Sequence, residues 1–213
     1  MSEPVELPLP MFPLSDLVLP GCSTLLHVFE PRYLRLVDDL RRGQGRLGAV
    51  LISHGSEVGG GDRRFRVGTL CRVDEITALR GGGFLAVLAG EERIVVRMWL
   101  PDDPYPLALV VQEPQSSDLE VGVERDLEDL ETLVRRALWA GIEAGHSVSP
   151  ATFSLPGPAP YLLYQLTQIA PISILDKQRV LEASDRETAE AILRAALDDV
   201  VSLFMRWMDT EDR

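Results

Sequence analysis

Between residues 6 and 112 the apolar positions fall in short runs rich in Val, Ile and Leu, broken by Gly- and Pro-rich clusters. Beyond residue 117 they recur instead with a helical period. The first run, Glu6–Leu14, carries prolines at positions 8, 10 and 13, which predicts an edge strand or an extended entry segment, because proline has no N–H for a ladder. Leu19-Pro20-Gly21 is a turn signal, and Ser23–Phe29 follows as a short strand. Pro31 suits the first turn of a helix, along which Tyr33, Leu34, Val37 and Leu40 recur until Gly43 ends the run. Further strands are predicted over Leu47–Ser53, Phe65–Thr77, Phe84–Ala89, Ile94–Leu100 and Leu107–Gln112. His54–Arg64 reads as a surface loop, and Arg80-Gly81-Gly82-Gly83 as a hairpin connection. Short strands at regular spacing with one inserted helix predict a small barrel or folded sheet.

The pattern changes at Pro114-Gln115-Ser116-Ser117. Ser117 and Glu120 match a capping box, in which each side chain satisfies the other residue's backbone N–H. Val123, Leu127, Leu130, Val134 and Leu138 then keep a period near 3.6, predicting one long helix that ends near Gly145. His146–Pro160 is a proline-containing loop, Tyr161–Ile169 a second helix, and Ile174–Glu182 a third with Ser173 as its cap. Ser184 and Glu187 match another capping box, ahead of an apolar stripe at Ile192, Leu193, Ala196, Leu197, Val200, Phe204 and Trp207. Strands first and helices second imply an α+β chain with segregated parts, residues 1–115 forming a β-rich subdomain and residues 118–213 a helical bundle. The order is not that of an alternating βαβ enzyme fold, and there is no internal repeat.

Charge narrows the choice of partner. The 213-residue chain has a net charge of −12. The 12 basic and 15 acidic residues before Ser117 give −3, and the 9 basic and 18 acidic residues after it give −9. Phosphate backbones and anionic membranes both select the opposite sign, so the expectation is no nucleic acid and no membrane as a partner. No apolar run approaches the roughly 20 residues that span a bilayer, and the N-terminus lacks a basic region followed by an apolar one. A cytoplasmic location is expected by default. Cys22 and Cys71 are too few for a disulfide framework, and each sits in an apolar run, as a small buried hydrophobe would.

The search for chemistry yields no catalytic residue, no metal site and no cofactor site. The one lysine, Lys177, lies on a predicted helix, and neither triple glycine is followed by the Gly-Lys of a phosphate-binding loop. His27, His54 and His146 stand outside any zinc-type spacing. His27 alternates with apolar residues and reads as barrel-facing or satisfied, and the other two as solvated. Ser173 lies four residues before Lys177, but a capping role accounts for it. The adjacent acidic pairs, such as Asp38-Asp39 and Glu91-Glu92, point to different faces and read as solvated charge.

The run Leu7-Pro8-Leu9-Pro10-Met11-Phe12-Pro13-Leu14, followed by Val18-Leu19-Pro20-Gly21 and Val28-Phe29-Glu30-Pro31-Arg32-Tyr33, resembles the start of the Lon protease N-terminal domain family. Val67-Gly68-Thr69-Leu70, Gly90-Glu91-Glu92-Arg93-Ile94 and Ile169-Ala170-Pro171-Ile172 extend the resemblance, as does Asp176-Lys177-Gln178-Arg179-Val180-Leu181-Glu182. The resemblance implies a PUA-like β pseudo-barrel followed by a helical bundle. It also implies a non-catalytic module that recognises unfolded or degron-bearing polypeptides or a protein partner, as an adaptor or regulator of proteolysis. Because the chain ends at Arg213, a free-standing member without the ATPase and peptidase domains is expected. Glu30, Arg32 and Tyr33 of the distinctive E-P-R-Y segment are the candidate binding residues, while a structural role for them follows from Pro31 starting a helix, Glu30 complementing its dipole and Arg32 pairing with an acid. Two other readings stay open: an RNA-binding PUA-like protein, which the charge disfavours, and a hydrolase with an unrecognised site.

Overall fold

The computed structural model describes residues 6–43, 45–55, 61–113, 124–146, 148–153 and 161–211. The chain divides into two compact units, Met1–Gln115 and Ser116–Arg213.

Among the described residues, the first unit holds six strands and one helix in the order β1 (Glu6–Leu14), β2 (Ser23–Val28), α1 (Pro31–Arg42), β3 (Arg46–His54), β4 (Arg63–Ala78), β5 (Phe84–Leu100) and β6 (Leu107–Glu113). The sheet runs β2-β5-β4-β3-β1-β6, and β6 pairs back onto β5, so five strands close a ring with β2 attached outside it. β5 makes both arrangements possible. Its first half, from Phe84 to Ala89, pairs with β2, and its second half, from Arg93 to Leu100, with β6. Bulges at Leu70/Cys71, Val73/Glu75 and Val96/Met98 supply the bending that closure requires.

Two expectations about strands are corrected. β1 is not at an edge: residues 6–10 pair antiparallel with β6 and residues 11–14 parallel with β3. A strand that changes neighbour halfway leaves each half a side without a ladder, which is how it accommodates three prolines. Phe84–Ala89 and Ile94–Leu100 are one 17-residue strand, not two. Gly90 does not break it. A Cβ there would collide with the Leu19 carbonyl oxygen, so the glycine permits a close backbone approach. Gly90 and Gly21 instead strap the preceding loop to β5, with Gly21 donating to the Gly90 carbonyl at 2.9 Å and Gly90 to the Cys22 carbonyl at 2.8 Å.

Met11, Val50, Leu70, Ile94, Val96, Ala108 and Val110 come from all five ring strands and fill the ring. A second core lies against α1, whose Tyr33, Leu36, Val37 and Leu40 pack on Phe12, Leu26, Val28, Leu47, Ala86 and Leu88. Leu47 and Ala49 face the helix while Val50 faces the ring interior, so β3 is buried on both faces and reads as a continuous apolar run. Cys71 lies in the helix-side core with no exposure, and burial pushes its thiol up to about 12. Cys22 departs from expectation and is only half-buried.

The second unit consists, among the described residues, of α2 (Glu124–Glu143), α3 (Leu162–Ile169), α4 (Ile174–Glu182) and α5 (Arg186–Glu211). α2 and α4 pack against α5, and α3 touches both α2 and α4. Leu130, Val134, Ala137 and Leu138 on α2 and Leu193, Ala196, Leu197 and Phe204 on α5 are buried, the stripes that the helical period predicts. Trp207 ends the α5 stripe but is 41% exposed. Ser173 caps α4, accepting from the Asp176 N–H at 3.1 Å. The cap of α5 is Asp185 rather than Ser184: Thr188 N–H donates to Asp185 Oδ1 at 2.8 Å, while Ser184 Oγ donates to the other carboxylate oxygen. A carboxylate one residue further on accepts from the helix start more strongly than a hydroxyl. The capping box expected at Ser117 and Glu120 lies outside the described residues.

Candidate functional site

The strand-to-helix corner between β2 and α1 gathers the three candidate residues. Glu30 caps α1 through its backbone, its carbonyl accepting from Tyr33 N–H at 3.0 Å and Leu34 N–H at 2.9 Å. Its side chain makes no capping bond and turns to Arg32, with Nε 3.2 Å from Oε2. The Arg32 guanidinium carbon stands 4.6 Å from the centre of the Tyr33 ring, a cation–π contact. Tyr33 stacks on Phe12 with centroids 4.0 Å apart and is 2% exposed. Its hydroxyl is buried with no hydrogen-bond partner among the described residues. Burial pushes the phenol up to about 12, while the Arg32 charge pulls the other way.

A second ion pair, Arg64 with Asp62, also acts electrostatically on Tyr33. Burial works to raise the Asp62 carboxyl, but its hydrogen bonds from Arg64 win and hold it below the usual value. The Arg64 guanidinium also lies 4.5 Å from the Trp99 ring centre. The fold therefore brings Glu30, Arg32 and Tyr33 together, but as a packed and charge-balanced corner with Tyr33 sealed beneath it.

What stands open beside this corner is β2. Leu26 and Val28 are buried, whereas Leu25 is 64% and Phe29 54% exposed. His27, between them, is exposed too and lies 5.3 Å from the Phe29 ring, so it faces outward and not into the barrel. Sequence reasoning missed this row. The signal was there in Leu25-Leu26-His27-Val28-Phe29, which is apolar on both faces of a strand. Such a run suggests a strand covered on both sides, and only the fold reveals that one side is bare.

The other residues weighed for chemistry have structural partners. Lys177 Nζ donates to the Gln168 carbonyl at 2.6 Å, tying α4 to the end of α3. His146 lies tilted against Trp207 and Phe204 with centroids 4.4 and 5.2 Å away. Glu91 is not simply solvated and bridges Arg46 and Arg72 at 3.0 and 3.2 Å. Among the described residues no group of three His, Cys, Asp or Glu is placed to hold a metal ion. Among them also, no helix is long and apolar enough to cross a membrane.

Comparison with known proteins agrees with this architecture. None of the curated proteins compared matches the chain. Among solved structures, it is similar to the Lon N-terminal domain protein from Xanthomonas campestris (24% identity, TM-score 0.64), covering 88% of this chain and 97% of that one. It is also similar to the N-terminal domain of Mycobacterium avium complex Lon protease (19% identity, TM-score 0.62), covering 92% of this chain and 98% of that one. At these identities the likeness speaks for the fold alone. The family model of the ATP-dependent protease La (LON) substrate-binding domain matches residues 8–190. The chain belongs to the LON substrate-binding domain family.

Proposed function

We propose that this protein is a non-catalytic polypeptide-binding module that holds unfolded or degron-bearing segments, acting as an adaptor or regulator of proteolysis. The observation that carries the reading is the exposed side of β2, with Leu25 and His27 on the strand and Phe29 just past it, in a chain whose family is described by substrate binding. Exposed apolar rows of this kind mark protein contacts. Glu30, Arg32 and Tyr33 serve the site by position: the ion pair and the stacked ring hold the corner at which Phe29 leaves the strand. Tyr33 itself is too buried to be touched by a partner.

The test uses reduced, carboxymethylated lactalbumin, which cannot refold, labelled with a fluorophore and titrated with the protein. Saturable binding is expected, with native lactalbumin inert and with no ATP hydrolysis or peptide cleavage during incubation. Equal binding of folded and unfolded forms, or none of either, would defeat the reading, as would turnover in a contaminant-free preparation.

A further inference from the structure

We infer that the outward edge of β2 takes an extended polypeptide segment by strand addition, an inference that rests on the polypeptide-binding reading above and names how and by what the site is filled. Among the described residues β2 stands at the end of the sheet order and pairs with β5. The phase of that ladder follows from one bond, the Gly90 N–H donating to the Cys22 carbonyl at 2.8 Å. Residues facing each other across an antiparallel pair alternate between hydrogen-bonded and non-bonded positions. The Cys22 carbonyl and the backbone groups of Thr24, Leu26 and Val28 therefore turn toward β5, while the Cys22 N–H donates to the Leu19 carbonyl at 3.0 Å. Ser23, Leu25 and His27 turn theirs to the open side. The same residues Leu25 and His27 carry exposed side chains.

Proteins guard open edges with charges, prolines or bulges, because an unguarded edge recruits other strands. The far end of β4 illustrates the guarded case. Past Arg72, where its pairing with β3 stops, it exposes Asp74 and Glu75. Ser23–Val28 has neither a formal charge nor a proline, and its neighbour Phe29 adds further exposed apolar surface.

The chemistry of the occupant follows. Only a second extended backbone completes the row of donors and acceptors at Leu25 and His27. Its alternate side chains must be apolar to cover Leu25 and Phe29. The part of the chain that carries β2 is itself acidic, with 12 basic against 15 acidic residues before Ser117, so flanks carrying Lys or Arg are favoured over acidic ones. The inferred partner is thus an unfolded segment of about six residues, alternating apolar and small polar residues between basic flanks.

The experiment titrates a fluorescein-labelled peptide, Lys-Lys-Val-Thr-Val-Thr-Val-Lys-Lys, alongside carboxymethylated lactalbumin, and follows amide hydrogen exchange residue by residue. Both probes should bind, and exchange should slow at Leu25 and His27 but not at Leu26. The same peptide N-methylated throughout its Val-Thr core should not bind. Leu25→Pro removes one outward N–H and should weaken binding about tenfold, the effect of one backbone hydrogen bond. If that variant fails to fold, Leu25→Lys, which leaves the backbone intact and guards the edge, should weaken binding to a similar extent. Lactalbumin bound with Leu25 and His27 exchange unchanged would overturn strand addition while leaving the polypeptide-binding reading standing. Failure of both probes would remove both. Protection of these amides in the protein alone, with a doubled mass in sedimentation, would assign the edge to a second copy and overturn the inference.

Discussion

The Thr69 hydroxyl donates to the Val18 carbonyl at 2.6 Å across 51 residues of sequence, inside the core of the first unit. Thr69 has no exposure and Val18 is 3% exposed, so no water competes for the bond. This contact pins the Leu17–Pro20 loop to β4 and gives the Val67-Gly68-Thr69-Leu70 motif a physical content. Thr69→Val keeps the shape, removes the donor and strands a buried carbonyl. The expected loss is about 1–3 kcal/mol, read in urea unfolding, while Thr69→Ser retains most of the stability.

The neighbouring Gly68 makes the opposite kind of demand. A Cβ at this position would collide with the Ala49 carbonyl oxygen on the paired strand β3. Gly68→Ala is expected to cost about 1–3 kcal/mol or more through overpacking. Gly81→Ala is the control: a Cβ at that turn meets nothing within 4 Å. It should leave the unfolding midpoint almost unchanged.

Tyr33→Phe should not destabilise the protein, because the hydroxyl it removes is buried without a hydrogen-bond partner among the described residues. The ring, its stacking on Phe12 and its contact with Arg32 all remain. The same substitution alters the response to alkali. With the phenol raised from 10.0 to about 12 on folding, its contribution is complete below pH 10 and is lost as the pH climbs to 12. The Cys71 thiol, raised from 9.0 to about 12, loses its contribution over an overlapping range. A denaturation series from pH 8 to 12 should therefore decline less steeply in Tyr33→Phe than in the parent, without becoming flat.

Much of the fold was legible because it rests on local rules. The apolar spacing of α1 and α5, the Ser173 cap and the change of character near residue 115 each depend on residues close in sequence. The misread elements depend on partners elsewhere. The prolines of β1 signal an edge until the strand is seen to change neighbours, and Gly90 signals a break until Leu19 is seen lying against it.

The cap of α5 provides a separate test. Asp185→Ala should lower the thermal midpoint of the protein more than Ser184→Ala, since Asp185 takes the Thr188 N–H. Hydrogen bonds from the Thr188 backbone and from Ser184 hold the Asp185 carboxyl below its usual value. The sign of the linkage is that its stabilisation is present above the ordinary carboxylate range and fades as the pH falls through the lowered value. Calorimetry at pH 7 and pH 3 should show the gap between Asp185→Ala and the parent narrowing in acid.

By itself the sequence determined the order of strands and helices, the apolar stripes, the charge and the motifs that carry the family, because each is a matter of residue type and spacing along the chain. Only the tertiary structure decided which strand lies at an open edge and which face of it is bare. It also decided that Tyr33 is sealed while Leu25 and Phe29 are not. The physical reason is that exposure belongs to neighbours rather than to residues. The same apolar side chain is core or contact surface according to whether another element of the fold arrives to cover it.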